Sequence, residues 1–114
     1  MRLVDNIGVE SRQRIRVTHA DLTLDVDLTL TFLGVTQIWF ANVAYGADRI
    51  SGVKLSLGTL HFVSKNWPFD LVVRDTSELG VDPFQINDFA TGRCELYLVE
   101  PSEMETVRGA PVEI

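Results

Sequence analysis

The segment from Asp21 to Phe32 reads D-L-T-L-D-V-D-L-T-L-T-F, and its apolar residues fall on every second position. Leu22, Leu24, Val26, Leu28, Leu30 and Phe32 alternate with threonines and aspartates. Successive side chains of a strand point to opposite faces, so the run predicts one long strand with a dry face and a wet one. On a helix the same leucines would scatter around the circumference. Twelve residues would extend roughly 40 Å at about 3.3 Å each. A chain with such a strand is expected to be built from sheets.

The neighbouring segments extend this reading. Arg12 to Thr18 alternates and predicts an earlier strand, with His19-Ala20-Asp21 as the turn into the long one. Leu33-Gly34-Val35-Thr36 predicts the next turn, with Gly34 free to take a positive φ. Gln37 to Tyr45 is apolar on both faces, with Ile38 and Phe40 on one and Trp39, Ala41, Val43 and Tyr45 on the other. Such a strand is expected to be covered on both sides, by the core and by a subunit contact. Gly46-Ala47-Asp48 is a hairpin turn. Arg49 to Leu57 is a further strand, in which Gly52 predicts a bulge. Thr59 to Val63 is a short continuation, Ser64 to Pro68 a loop, Phe69 to Arg74 a strand. Asp75 to Thr91 is irregular, with room for a turn of helix. Arg93 to Glu100 closes the sheet, with Cys94, Leu96 and Leu98 inward.

The expected fold is therefore all-β: a single small antiparallel barrel or sandwich of six to seven strands. Its core spans about 12–100, with an N-terminal arm over 1–11 and an exposed C-terminal tail over 101–114. The 114 residues suit one domain, and 46% hydrophobic residues suffice for a core without disulfides or metal. Cys94 is the only cysteine, which rules out an intramolecular disulfide or a zinc site built on two cysteines, and fits assembly in a reducing compartment. No run of about 18 apolar residues suggests a membrane span. Met1 to Ser11 lacks the apolar centre of a signal peptide, so the chain is expected to stay where it is made until it is assembled.

A net charge of −6 argues against a nucleic-acid surface, which normally needs a basic patch. The exception is Arg12, Arg14 and Arg16, spaced by two and so on one strand face. They suit a soluble edge, acidic groups of a neighbouring subunit, or an oligonucleotide-binding barrel. Asp25 and Asp27 share a face about 7 Å apart, but no third oxygen ligand is in sequence reach, so they read as solvent face. His19 and His61 stand far apart in sequence. Cys94 reads as a buried, inert thiol. No phosphate-cradling glycine loop or nucleophile elbow occurs. No catalytic, cofactor-binding or metal-ligating residue is expected. Trp39 and Trp67 read either as core or, with Val43, Tyr45 and the three arginines, as contact residues, since aromatics concentrate at interface hot spots.

The order of segments resembles the small baseplate plug proteins of contractile-tailed bacteriophages. The resemblance runs from about Arg12 to Glu100. It rests on the opening strand Gln13–Thr18, the amphipathic run Leu22–Phe32, and I-W-F-A-N-V-A-Y. It continues through I-S-G-V-K-L-S-L-G from Ile50 to Gly58, F-D-L-V-V-R-D from Phe69 to Asp75, and D-F-A-T-G-R-C-E-L-Y-L from Asp88 to Leu98. It implies a non-catalytic virion protein near the tail-tube axis, assembled in the host cytoplasm. Copies of itself, hub proteins and tail-tube subunits are its implied neighbours, in a threefold or sixfold arrangement. A carbohydrate-binding module or small enzyme at the tail tip is the competing expectation, and would need a tryptophan-lined groove.

Overall fold

The structure is a computed structural model that describes residues 1–62, 65 and 67–108, the last four by backbone alone. Seven strands form: β1 (Arg2–Leu3), β2 (Arg12–Val17), β3 (Val26–Leu33), β4 (Ile38–Tyr45), β5 (Asp48–Lys54), β6 (Asp70–Asp75) and β7 (Cys94–Val99). They pair antiparallel in two sheets, β2-β3-β4-β5 and β1-β7-β6. The fold is an all-β sandwich of seven strands.

The inward side chains follow from the alternation. Val26, Leu28 and Leu30 of β3 meet Trp39, Ala41 and Val43 of β4, and all six are buried. Leu71 and Val73 of β6, with Cys94, Leu96 and Leu98 of β7, form the opposite wall. Phe62, Trp67 and Phe69 close one end, with Trp67 stacked on Phe69 at 5.2 Å between ring centroids. Fully burying a side chain of this size is worth about 1.5–3 kcal/mol.

The chain crosses between the sheets just after β5. Leu55 N–H still donates to Trp39 O at 3.0 Å, so pairing with β4 outlasts the strand. Three residues on, Gly58 N–H donates to Val73 O at 3.1 Å, and Leu57 forms a parallel bridge with Val73. One run of backbone therefore belongs to both sheets and closes that corner of the sandwich. The glycine bulge appears where it was expected. The β4–β5 register shifts between Ala41 and Val43, Gly52 sits at φ +69°, and its N–H is taken by Asn42 Oδ1 at 2.7 Å. Gly46 takes φ +63° in the two-residue β4–β5 turn, as a turn with glycine first requires.

Several expectations are corrected. The long strand starts at Val26, not Asp21, because its partner β2 ends at Val17, which pairs with Val26. Without a partner, 18–25 fold as a loop held by Leu22 N–H to His19 O and by Thr18 Oγ1 to Asp25 Oδ1. Leu22 still reaches the core, while Leu24 is exposed. Asp25 consequently leaves the strand face it was expected to share with Asp27. In the β3–β4 turn the left-handed residue is Gln37 (φ +56°), not Gly34. Thr59 to Phe62 form no strand, and Val63, Ser64 and Asn66 lie outside the described residues.

The described parts of the two terminal segments pack onto the sandwich. β1 pairs with β7, and Val4 and Ile7 are buried. Pro101–Arg108 is the helix α1, with Glu100 N–H accepted by Glu103 Oε1 at 2.9 Å and Met104 buried. Proline at the first helical position and an acidic first turn are both favourable helix starts. The tail beyond 108 lies outside the described residues.

Candidate functional site

The apolar and aromatic contact candidates are spent on the core. Trp39 is wholly buried, its indole N–H donates to Gln85 O at 3.0 Å, and Phe89 packs edge-on at 5.3 Å. Val43 is buried beside it. Trp67 is buried, and its N–H donates to Asp48 Oδ2 at 3.0 Å. Tyr45 is half-buried, packed edge-on against Phe69 at 5.3 Å. None of these offers a large face to a neighbour. The face of β4 left for one is the other face: Ile38, Phe40, Asn42 and Ala44, all half-buried.

The polar candidates resolve into structure. His61 sits between Leu71 O, 2.7 Å from Nδ1, and Ser56 N–H, 3.1 Å from Nε2, which together require the proton on Nδ1. His19 Nδ1 accepts from Asp21 N–H at 3.0 Å, leaving Nε2 to donate to Glu100 at 2.5 Å. That bond, chiefly, holds the Glu100 carboxyl below its ordinary value. Cys94 is buried, and burial pushes its thiol up to about 11, so it is protonated at neutral pH. Among the described residues no group of three or more His, Cys, Asp or Glu stands close enough to hold a metal ion.

Two buried aspartates escaped the sequence reading. Asp70 accepts the backbone N–H groups of His61, Phe62 and Leu71 at 2.7–3.1 Å, so it caps the crossover leading into β6. Asp88 accepts from Phe84 and Gln85 N–H at 2.7 and 2.8 Å and takes both Nε and Nη2 of Arg93 at 2.9 Å. Burial pushes the Asp88 carboxyl up, but these bonds outweigh it and the net shift is downward. Arg93 also donates to Val81 O and Asp82 O and lies over the Phe84 ring. The spacing D-F-A-T-G-R thus closes a loop on itself. The signal in the sequence was an acid and a base five apart, flanking a buried phenylalanine.

The three arginines behave as their spacing predicted. Arg12, Arg14 and Arg16 are exposed on one face of β2. Cross-strand neighbours share a face, so the register lays out three rows over the outside of the four-stranded sheet. One runs Arg16, Asp27, Ala44, Arg49; the second begins Arg14, Thr29, Asn42; the third runs Arg12, Thr31, Phe40, Lys54. The two edge strands stand roughly 14 Å apart, three spacings of about 4.8 Å. Between them lies a shallow trough of about 430 Å³, with Arg12 and Arg14 on one wall, Arg49 on the other, and Asp27, Thr29 and Asn42 in its floor. Asp27 is bonded to Arg16 at 2.9 Å. Arg12, Arg14 and Arg49 have no carboxylate within ion-pair distance among the described residues.

A second surface is apolar. At the end of the sandwich that carries the β3–β4 turn, Leu33, Val35, Leu79 and Val81 are exposed, Val35 completely. Beside them an open groove of about 590 Å³ is lined by Ile38, Leu79, Val81, Pro83 and Phe84, with Lys54 and Asp82 paired at 3.3 Å on its rim. An exposed apolar groove of this kind marks a contact site more often than a single exposed aliphatic residue does.

No helix among the described residues is long and apolar enough to cross a membrane. No protein-family model matches the chain, and no curated protein matches it.

Proposed function

We propose that this chain is a structural, non-catalytic component of a contractile phage tail. In this reading it is a plug or hub protein of the baseplate, near the tube axis, that assembles with itself and with hub and tube subunits in the virion. The order of motifs from Arg12 to Glu100 suggests the family. The observation that carries the reading is the apolar end, where four aliphatic side chains and an open groove stand on a sandwich that already buries its own core. A neighbouring hub or tube subunit covering that end would remove those groups from water, at about 25 cal/mol per Å² of apolar surface.

The test is light scattering of the purified chain, alone and mixed with hub and tube proteins. A defined complex is expected. Val35→Asp and Leu79→Asp change exposed positions, so both variants are expected to melt as the parent does and to lose the complex. A parent chain that joins none of those proteins would sink the proposal.

A further inference from the structure

The chain is acidic overall, yet the outer face of its four-stranded sheet is not. Arg12, Arg14, Arg16, Arg49 and Lys54 stand on that face; Asp27 pairs with Arg16 and Asp82 with Lys54, which leaves Arg12, Arg14 and Arg49 without a carboxylate partner among the described residues. Half of the ten lysines and arginines are thus gathered on one side of one sheet. The rest of the sequence holds fifteen acids against five bases, and of those acids Asp70 and Asp88 are buried. Asp5, Glu10, Asp21 and Glu78 among them are exposed. The molecule has a cationic trough and, elsewhere, a carboxylate-rich surface.

We propose that the trough receives carboxylates from the acidic surface of a second copy of this chain, in a head-to-tail contact. The inference rests on the assembly reading above and deepens it by stating which surface meets which. Charge complementarity selects the occupant, because the chain's own remaining surface carries the opposite sign. The fork of a guanidinium matches a carboxylate with two parallel hydrogen bonds. The trough is poorly suited to single-stranded nucleic acid, which is held by aromatic stacking as well as charge. No aromatic side chain lines it; the one aromatic of β4 on that face, half-buried Phe40, stands in the neighbouring row beside Lys54. Trough and acidic surface are different patches, so the contact is heterologous and generates rings or chains rather than closed pairs.

The test is sedimentation velocity of the full chain over a range of concentrations, at low and high salt. Concentration-dependent species larger than dimers are expected at low salt, and they should fall away as screening shortens the reach of charge to about 8 Å near 0.15 M. Arg12→Gln/Arg14→Gln/Arg49→Gln should weaken association roughly tenfold, the sum of three exposed pairs. Arg74→Glu/Ser102→Glu changes net charge equally outside the trough and should leave association intact. A polyglutamate peptide should compete with the second copy. A parent chain that stays monomeric at low salt overturns the inference, as does a triple variant that associates like the parent. Tighter binding of single-stranded oligodeoxynucleotide than of polyglutamate also overturns it. Adding hub and tube proteins to the same samples separates this idea from the baseplate reading. A triple variant that still joins them while the parent stays monomeric alone defeats only the trough.

Discussion

In the 75–93 loop, the Arg93 guanidinium is divided among the Asp88 carboxylate, two backbone carbonyls, and Asp75 at 3.6 Å. On the outer face of the four-stranded sheet, Arg12, Arg14 and Arg49 border a trough whose one lining carboxylate is taken by Arg16. The side chain is the same and its surroundings are opposite. Arg93 is mostly withdrawn from water and surrounded by acceptors, so it holds a loop in one shape. The trough arginines keep their hydration and their donors, which leaves them available to a partner at little cost to the fold. An arginine largely withdrawn from water and bonded on every side reports on architecture, while a group of exposed ones with few internal acceptors reports on what the molecule meets.

The comparison breaks most visibly at Arg93. Replacing it with alanine leaves the Asp88 carboxylate buried without its fork and is expected to cost about 3–5 kcal/mol, read as a drop in the denaturant midpoint. If the loss is under about 1 kcal/mol, near the range of an exposed pair, the contrast fails. Arg93→Lys keeps the charge but loses the planar pair of donors, and is expected to cost about 1–3 kcal/mol.

Acid titration probes the same network without mutation. Asp88 lies below the ordinary 3.8 through Arg93 and two amides, against burial. Asp75 does so chiefly through the Ser77 hydroxyl. A carboxylate whose folded pKa is depressed stabilises fully above its unfolded value, and the contribution is lost as pH falls through the folded one. Melting temperature should therefore change little between about pH 7 and 5 on account of these groups and decline below about pH 4. A smaller acid-side decline in Arg93→Ala is the sharper result, because that variant has already lost the pairing.

The exposed face should respond weakly. Asp27→Asn removes the partner of Arg16 and is expected to cost less than about 1 kcal/mol, and less still at high salt. Single alanine replacements of Arg12, Arg14 or Arg49 should leave thermal stability within about 0.5 kcal/mol. A large loss at any of these would mean that the trough is structural and would erase the contrast.

The two regions also differ in how far the sequence reveals them. The four-stranded sheet follows from local alternation. β2, β4 and the Gly52 bulge stand within one or two residues of where the pattern puts them, and the arginine row follows from spacing alone. The 75–93 loop carries no period. What holds it is a pair five residues apart, two carbonyls, and an indole from another strand. No periodicity encodes such contacts. Trp39 shows the limit within a regular strand: its position on one face was legible, but whether that face met the core or a neighbour depended on the opposite sheet.

Alternation by itself determined that the chain is all-β, which residues share a face, and that three arginines stand together, because side-chain direction in a strand depends only on position. The tertiary structure decided where strands stop, since β3 begins at Val26, where the pairing with both Val17 of β2 and Tyr45 of β4 ends. It also decided that residues 2–7 and 101–104 pack onto the fold, that Asp70 and Asp88 are buried structural acids, and that Arg49 faces Arg12 and Arg14 across a trough. Each of these depends on contacts between residues distant in sequence, which exist only once the two sheets have closed on one core.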